Sequence, residues 1–191
     1  MLFRGWVIRL IDAVNVTLEA LGESRAVDLN SSNPSVGLAK AAIERTRRGV
    51  LSTGHWFNVI EREVIPAQTG RISIPWKQLA IYGTDGKKYS ERDGILYDLV
   101  EQTNRFEQPV KLRVVLDFDF EDLPEHAALW IAYESAAQVY SNDLGADATY
   151  QILTQQAREY EALTLREHLR NQRYSTARTR NSGRIRYGFR I

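Results

Sequence analysis

The side chains best equipped for chemistry in this 191-residue chain are three histidines and two groups of acids. His55 precedes Glu61 and Glu63 in the stretch "TGHWFNVIEREVIP", residues 53–66. Imidazole and carboxylate are common zinc ligands, but a metal site needs several of them converging on one point. His55, His126 and His168 lie far apart in sequence. Glu61 and Glu63 share a face if they lie on a strand, and His55 joins them only if that strand is regular and unbroken. Solvent-facing strand residues are the simpler reading; a metal site is the competing one.

The second group is "DFDFED", with Asp117, Asp119, Glu121 and Asp122. A calcium loop alternates oxygen ligands through a glycine-containing turn, and this stretch has no glycine. Strand alternation instead places Asp117, Asp119 and Glu121 on one face and Phe118 and Phe120 on the other. The stretch therefore reads as a half-buried strand that ends in a helix cap at Asp122, with Leu123 and Pro124 at the joint. There is no phosphate-binding glycine loop, and "GKKYS" follows a turn signal rather than closing one. No serine occupies a nucleophile elbow. Two acids can meet from anywhere in a fold, yet nothing singles out a hydrolytic pair. The expectation is a protein that is not an enzyme and carries no cofactor or metal.

Bulk composition narrows the setting. With 43% hydrophobic and 26% charged residues, the chain can build one fair-sized core or two small lobes. Cysteine is absent, which removes disulfides and thiolate chemistry. No apolar run approaches the roughly 20 residues that span a bilayer, so no membrane segment is expected. The opening "MLFRGWVIRLIDAVNV" is interrupted by Arg4, Arg9 and Asp12 and is not read as a secretory leader.

Charge is distributed unevenly. Before Arg170 the chain has 18 Lys and Arg against 24 Asp and Glu, a net of −6. From Arg170 onward it has seven arginines and no acid. An acidic body with a basic tail points to a tail that docks on something negative. In "RNQRYSTARTRNSGRIRYGFRI", Arg173, Arg178, Arg180, Arg184 and Arg186 interleave with Tyr174, Tyr187 and Phe189. Guanidinium forks and aromatic anchors suit docking on a protein partner. The same residue types suit phosphate contacts and base stacking, so a nucleic-acid-binding module is the alternative.

Hydrophobic periodicity supplies the elements that position these residues. Val7, Leu10, Ile11, Val14, Leu18 and Leu21 predict a helix that stops at Gly22. Residues 34–52 predict a second, capped by Ser32 or Asn33, with Val36, Ala39, Ile43, Thr46 and Val50 inward. Glu44, Arg45, Arg47 and Arg48 then point outward, and Gly54 ends the helix. The period shifts to that of strands in "WFNVIEREVI", "GRISIPW" and "VKLRVVLDFDF", with Asp-Gly turns near residues 85 and 93. Helices return with Trp130, Tyr133, Ala137, Tyr140 and Leu144, then with Tyr150, Leu153, Ala157, Tyr160 and Thr164. The expected fold class is α+β: a helical lobe of four main helices from both ends of the chain (1–54 and 121–170), a central antiparallel sheet or sandwich (55–120), and an extended basic tail (171–191). At the joint, Gly54 stops a helix, Trp56 and Phe57 face opposite sides, and Asn58 leads into the β block. One of the two aromatics is expected to anchor the lobes at a fixed angle.

Three stretches in this order resemble the tail tubular protein A family of short-tailed phages, the head-to-tail adaptor or gatekeeper ring. They are "DAVNVTLEALGES" (12–24), "GLAKAAIERTRRGVLSTGHWFN" (37–58) and "FDFEDLPEHAALWIAYESA" (118–136). The likeness runs from about residue 10 to residue 170. It departs from many relatives in placing Trp56 and Phe57 side by side, and in the arginine content of its tail. The resemblance implies a non-enzymatic virion protein assembled in the host cytoplasm. It implies a homo-oligomeric, dodecameric ring between the portal protein and the tail nozzle protein. Double-stranded DNA would pass through the lumen without sequence-specific binding, and no membrane would be involved. An acidic body suits such a channel because like charge repels phosphate. The tail would reach the portal or an adjacent subunit.

Overall fold

The computed structural model describes residues 8–84 and 86–172. Four helices frame it: α1 (Leu10–Ala20), α2 (Pro34–Ser52), α3 (Glu125–Asp143) and α4 (Ala148–Asn171). The Asn33 side chain accepts the Ser35 N–H at the start of α2, and Pro34 fills a position whose N–H would have no partner. Val36, Ala39, Ile43, Thr46 and Val50 are all buried, as their spacing predicts. α1 closes at Gly22 (φ +74°), where the Glu23 N–H reaches back to the Leu18 carbonyl at 2.8 Å. Ala13, Asn15 and Thr17 are buried beside the apolar stripe. Asn15 explains its own burial: its amide exchanges two hydrogen bonds with the backbone of Ala26, at 2.8 and 3.1 Å, and so pins the following loop.

α3 differs from its predicted stripe. Ala137 and Tyr140 are buried, but Leu144 is 55% exposed just past the helix end. The enclosed residues are Ala127, Ala128, Ile131, Ala132, Ser135 and Ala136. α3 packs against α1, α2 and α4, so it has no single inner face. Small side chains let three neighbours approach, and Ser135 satisfies its hydroxyl on the Ile131 carbonyl at 2.6 Å. The start of α3 also departs from expectation, because Asp122 does not cap it. Residues Phe120–Asp122 form a 3-10 turn, and Pro124 is the residue before the helix. Proline excludes the helical conformation from the residue before it, and Leu123 is accordingly extended (ψ 147°).

The β part contains β1 (Val59–Val64), β2 (Gln78–Gly83), β3 (Tyr89–Arg92), β4 (Ile95–Asp98) and β5 (Val110–Leu116). Antiparallel β1, β5 and β2 form one sheet with β5 in the centre, while β3 and β4 form a hairpin. The predicted fold class, α+β with a central antiparallel sheet, is therefore observed. Asp93 (φ +53°) and Gly94 (φ +74°) make the two-residue hairpin turn, which requires two positive φ angles. "GRISIPW" is not a strand. Ile72 and Ile74 are buried and hydrogen-bonded to Leu96 and Gly94, but only the single bridge Ser73–Ile95 forms. Pro75 lacks the N–H that would continue a ladder.

Arg47 gives a further correction. Instead of pointing outward, it is only 5% exposed. Its guanidinium forks onto Glu44 (3.0 and 2.7 Å) and reaches Asp117 (2.6 Å) and the Phe118 carbonyl. Two carboxylates and a carbonyl neutralise and saturate the charge, which is what its burial demands. The contact fastens the middle of α2 to the segment that leaves β5. A hydrogen bond to a charged group contributes about 1.5–3 kcal/mol, so Asp117→Ala should lower unfolding free energy by about that amount. Urea titration of the two proteins measures it.

Candidate functional site

Among the described residues, no group of three or more His, Asp or Glu side chains is placed to hold a metal. The acids at the candidate positions do not converge on one point. Glu61 and Glu63 are exposed on β1, across from Arg113 and Lys111 of β5, as opposite charges on facing strands should be. Asp117 belongs to the Arg47 clasp. Asp119, Glu121 and Asp122 are exposed beside it, with Glu121 accepting the Leu10 N–H at 3.4 Å. Leu123 is buried in the helical core. The tail residues Arg173, Tyr174, Arg178, Arg180, Arg184, Arg186, Tyr187 and Phe189 lie outside the described residues.

The structure concentrates its specific polar contacts where α2 gives way to β1. Gly54 (φ +78°) turns the chain, and a Cβ there would come within 3.2 Å of Val59 Cγ2 and 3.5 Å of Val115 Cγ2. Both the dihedral angle and the space favour glycine. Asn58 is 0% exposed. Its Oδ1 accepts the His55 N–H at 2.7 Å, and its Nδ2 donates to the Leu51 carbonyl (2.9 Å) and the Leu116 carbonyl (3.0 Å). Its backbone also bonds on both sides, N–H to the His55 carbonyl at 3.1 Å and carbonyl to the Leu116 N–H at 2.7 Å. One amide thus joins the end of a helix, a tight turn and the end of the central strand.

His55 is not a solvent-facing strand residue. It is 4% exposed, and residues 56–58 form a turn, so strand alternation starts only at Val59. Its Nε2 lies 3.1 Å from the Val50 carbonyl, which can only accept, so Nε2 carries the hydrogen. The ring stacks on Phe57 (centroids 5.5 Å apart) and meets Trp130 and His168 edge-on at 6.0 and 5.8 Å. Burial pushes its pKa below the ordinary histidine value; His168 adds to that shift, and the Val50 carbonyl opposes it. Two histidines 113 positions apart in sequence are therefore neighbours in space. His168, in the last turn of α4, accepts the Trp56 N–H on Nδ1 at 3.0 Å. Phe57 packs against the helical core, whereas Trp56 is half-buried and touches Phe57 edge-on at 5.7 Å. The two rings are contiguous rather than on opposite faces, because the backbone there is a turn. His126 is elsewhere, stacked on Tyr160 with Glu167 3.7 Å away.

This arrangement binds elements to one another. The tail tubular protein family matches residues 11–174. Tail tubular protein A of Klebsiella phage KP34 is 61% identical over 181 residues, which cover 94% of this chain and 97% of that protein. The chain belongs to the tail tubular protein family. A tail tubular protein is a structural component of a phage tail and so of the virion, and the family is not one of enzymes. The matched span includes the Gly54–Asn58 turn and all of α4. Among the described residues no helix is long and apolar enough to cross a membrane.

Sequence reading marked Gly54, Trp56, Phe57 and Asn58 as a junction but singled out neither Asn58 nor Arg47 as the residue that closes it. For Asn58 the available signal is a polar side chain between apolar neighbours in "HWFNVI"; Arg47 sits between Thr46 and Arg48 and carries no such signal. Two predictions follow from the junction's geometry. Asn58→Leu strands the His55 N–H and takes the side-chain donor from the Leu116 carbonyl, each at about 1–3 kcal/mol, whereas the Leu51 carbonyl keeps the Gly54 N–H at 3.0 Å. Its unfolding free energy should fall by at least about 2 kcal/mol, read by denaturant titration. For His55, the folded pKa is lowered, so below about pH 6.5 the unfolded chain takes up a proton that the native state resists. That contribution is intact above about 6.5 and is lost as pH falls toward the depressed native value. Melting temperature should drop between about pH 7.5 and 5.5, and the drop should shrink in His55→Gln; equal drops would assign it to other groups.

Proposed function

We propose that this tail tubular protein is a head-to-tail adaptor: a closed ring of identical subunits, dodecameric by the family resemblance, seated between portal and tail nozzle with the DNA path through its lumen. The observation that carries this reading is the match to tail tubular protein A over nearly the full length of both chains. The architecture supports it. Residues 1–54 and 121–170 are read as a helical domain and 55–120 as an inserted β domain, which gives two unlike faces for two unlike neighbours. The junction around Asn58 and the Arg47 clasp hold those parts together in a subunit that a ring would place under load. A ring closes through a heterologous interface repeated by rotation, so each subunit uses two different surfaces. The acidic balance of the chain before Arg170 suits a wall past which DNA slides. The basic tail, 171–191, is read as the portal-docking or subunit-clasping segment.

A specific feature favours a second reading: seven arginines and no acid from Arg170 to the end, with three aromatics among them. A tail of this composition also suits nucleic acid. One experiment separates the two. Full-length protein and a variant lacking residues 171–191 are mixed with purified portal and imaged by electron microscopy, and their DNA binding is followed from about 50 to 200 mM salt. The adaptor reading expects rings on the portal with the full chain, loss of portal binding in the truncated chain, and the same weak DNA retention in both. Normal portal binding without the tail would overturn the docking role. DNA affinity that falls steeply with salt and vanishes with the tail would establish the alternative.

A further inference from the structure

Two surfaces of the helical part carry complementary chemistry. The first is a groove of about 990 Å³ between the start of α1, the 24–33 loop, the first half of α2 and the 3-10 turn. Leu10, Leu29 and Phe120 give it apolar lining, and Asp119 and Glu121 stand at its edge. Both acids are exposed, and neither forms an ion pair among the described residues. The cations in the lining are already engaged: Arg47 belongs to the clasp, and Lys40 donates to the Leu29 carbonyl at 3.4 Å. Gly37 and Ala41 keep the α2 wall low. A Cβ built on Gly37 meets nothing within 4 Å, so packing among the described residues does not require glycine there, although glycine weakens a helix interior.

The second surface is the outer face of α4. Leu153, Ala157 and Thr164 are its buried residues. At 3.6 residues per turn, Arg158, Ala162, Leu165, Arg166 and Leu169 fall within about 100° of arc on the other side. Leu165 and Leu169 are 42% and 49% exposed. Arg158 and Arg166 are exposed too, and neither has an ion pair among the described residues. An exposed helix face of this kind, leucines flanked by unpaired cations, is what an apolar groove with an acidic rim accepts.

We propose that this ridge of α4 docks in the groove of a second copy of the chain, Leu165 and Leu169 on Leu10 and Leu29, Arg158 and Arg166 toward Asp119 and Glu121. The inference rests on the ring reading above, in which each subunit needs two unlike surfaces. Ridge and groove share no residue, so a subunit can give one to each neighbour. Charge also selects this pairing: ridge against ridge sets arginines together, and groove against groove sets acids together. Gly37 then has a purpose between subunits, since a bare stretch of α2 lets a neighbouring helix come close.

The chain has no cysteine, so introduced thiols report a single contact. Full-length Leu169→Cys protein is mixed with full-length Ala41→Cys protein, or with Ser52→Cys protein at the other end of α2, on purified portal. Under mild oxidation the 169–41 bridge should form at least ~tenfold faster than the 169–52 bridge, because docked thiols meet at an effective concentration in the millimolar range. Arg166→Glu in the first chain should slow the 169–41 bridge about tenfold, and Asp119→Arg in the second should restore it, as expected for charges facing across an interface. Both positions are exposed, so melting should not change. Rings on the portal by electron microscopy, with equal rates for the two pairs or with charge reversal lacking effect or rescue, would overturn this interface and leave the adaptor reading standing. A fast, charge-dependent 169–41 bridge without rings would keep the interface and overturn the ring. Neither bridge nor rings would end both.

Discussion

The carboxamide of Asn58 is the contact on which the rest of the structure depends. A helix end leaves carbonyls without intrahelical partners, and a strand end leaves backbone groups beyond its ladder. Here the two ends meet in a space closed to water, where each unpaired group would carry its full desolvation cost. Asparagine offers two donors and an acceptor in one rigid plane. It spends all three, on Leu51, Leu116 and His55, while its own backbone pairs with His55 and Leu116. The direction in which β1 leaves α2, and the place where β5 ends beside it, are thereby set by hydrogen bonds, which are directional, as well as by apolar packing, which is not.

Arg47 applies a similar constraint about one turn before Leu51 in α2. It draws the strand-to-helix segment at Asp117 and Phe118 against the helix. A buried guanidinium is weak evidence for stability, since an apolar replacement can do as well. What it adds is geometry, because a fork bonded to Glu44 on one side and Asp117 on the other admits few arrangements. With α3 enclosed by three helices through alanines and a serine, the helical part has little room to adjust. A tail component must hold its form against its neighbours, and this one does so with buried polar ties as well as with hydrophobic area.

Several features were legible in the sequence because they depend on local chemistry. The bounds of α2 follow from Asn33, Pro34 and the spacing of its apolar residues. The glycine stop after α1, the Asp93–Gly94 hairpin and the apolar alternation of β5 follow from dihedral preference and period. The family resemblance rested on three such stretches and agrees with the match to residues 11–174. Where the reading failed, two local signals competed. Asp122 looked like a helix cap, but Pro124 had already forced the residue before it into an extended conformation. "GRISIPW" has the composition of a strand, but Pro75 cannot extend a ladder.

By itself, then, the sequence determined the α+β class, the order of the elements, the family, and the separation of an acidic body from a basic end. These depend on residue type, period and short-range sterics, which act over a few positions. Only the tertiary structure decided that His55 is a core residue facing His168, that Arg47 turns inward to Asp117, and that Asn58 joins three elements. Each of those contacts links residues 58 to 113 positions apart, and hydrogen-bond partners at that separation leave no periodic trace. A buried polar side chain becomes intelligible only when the groups that satisfy it are in place.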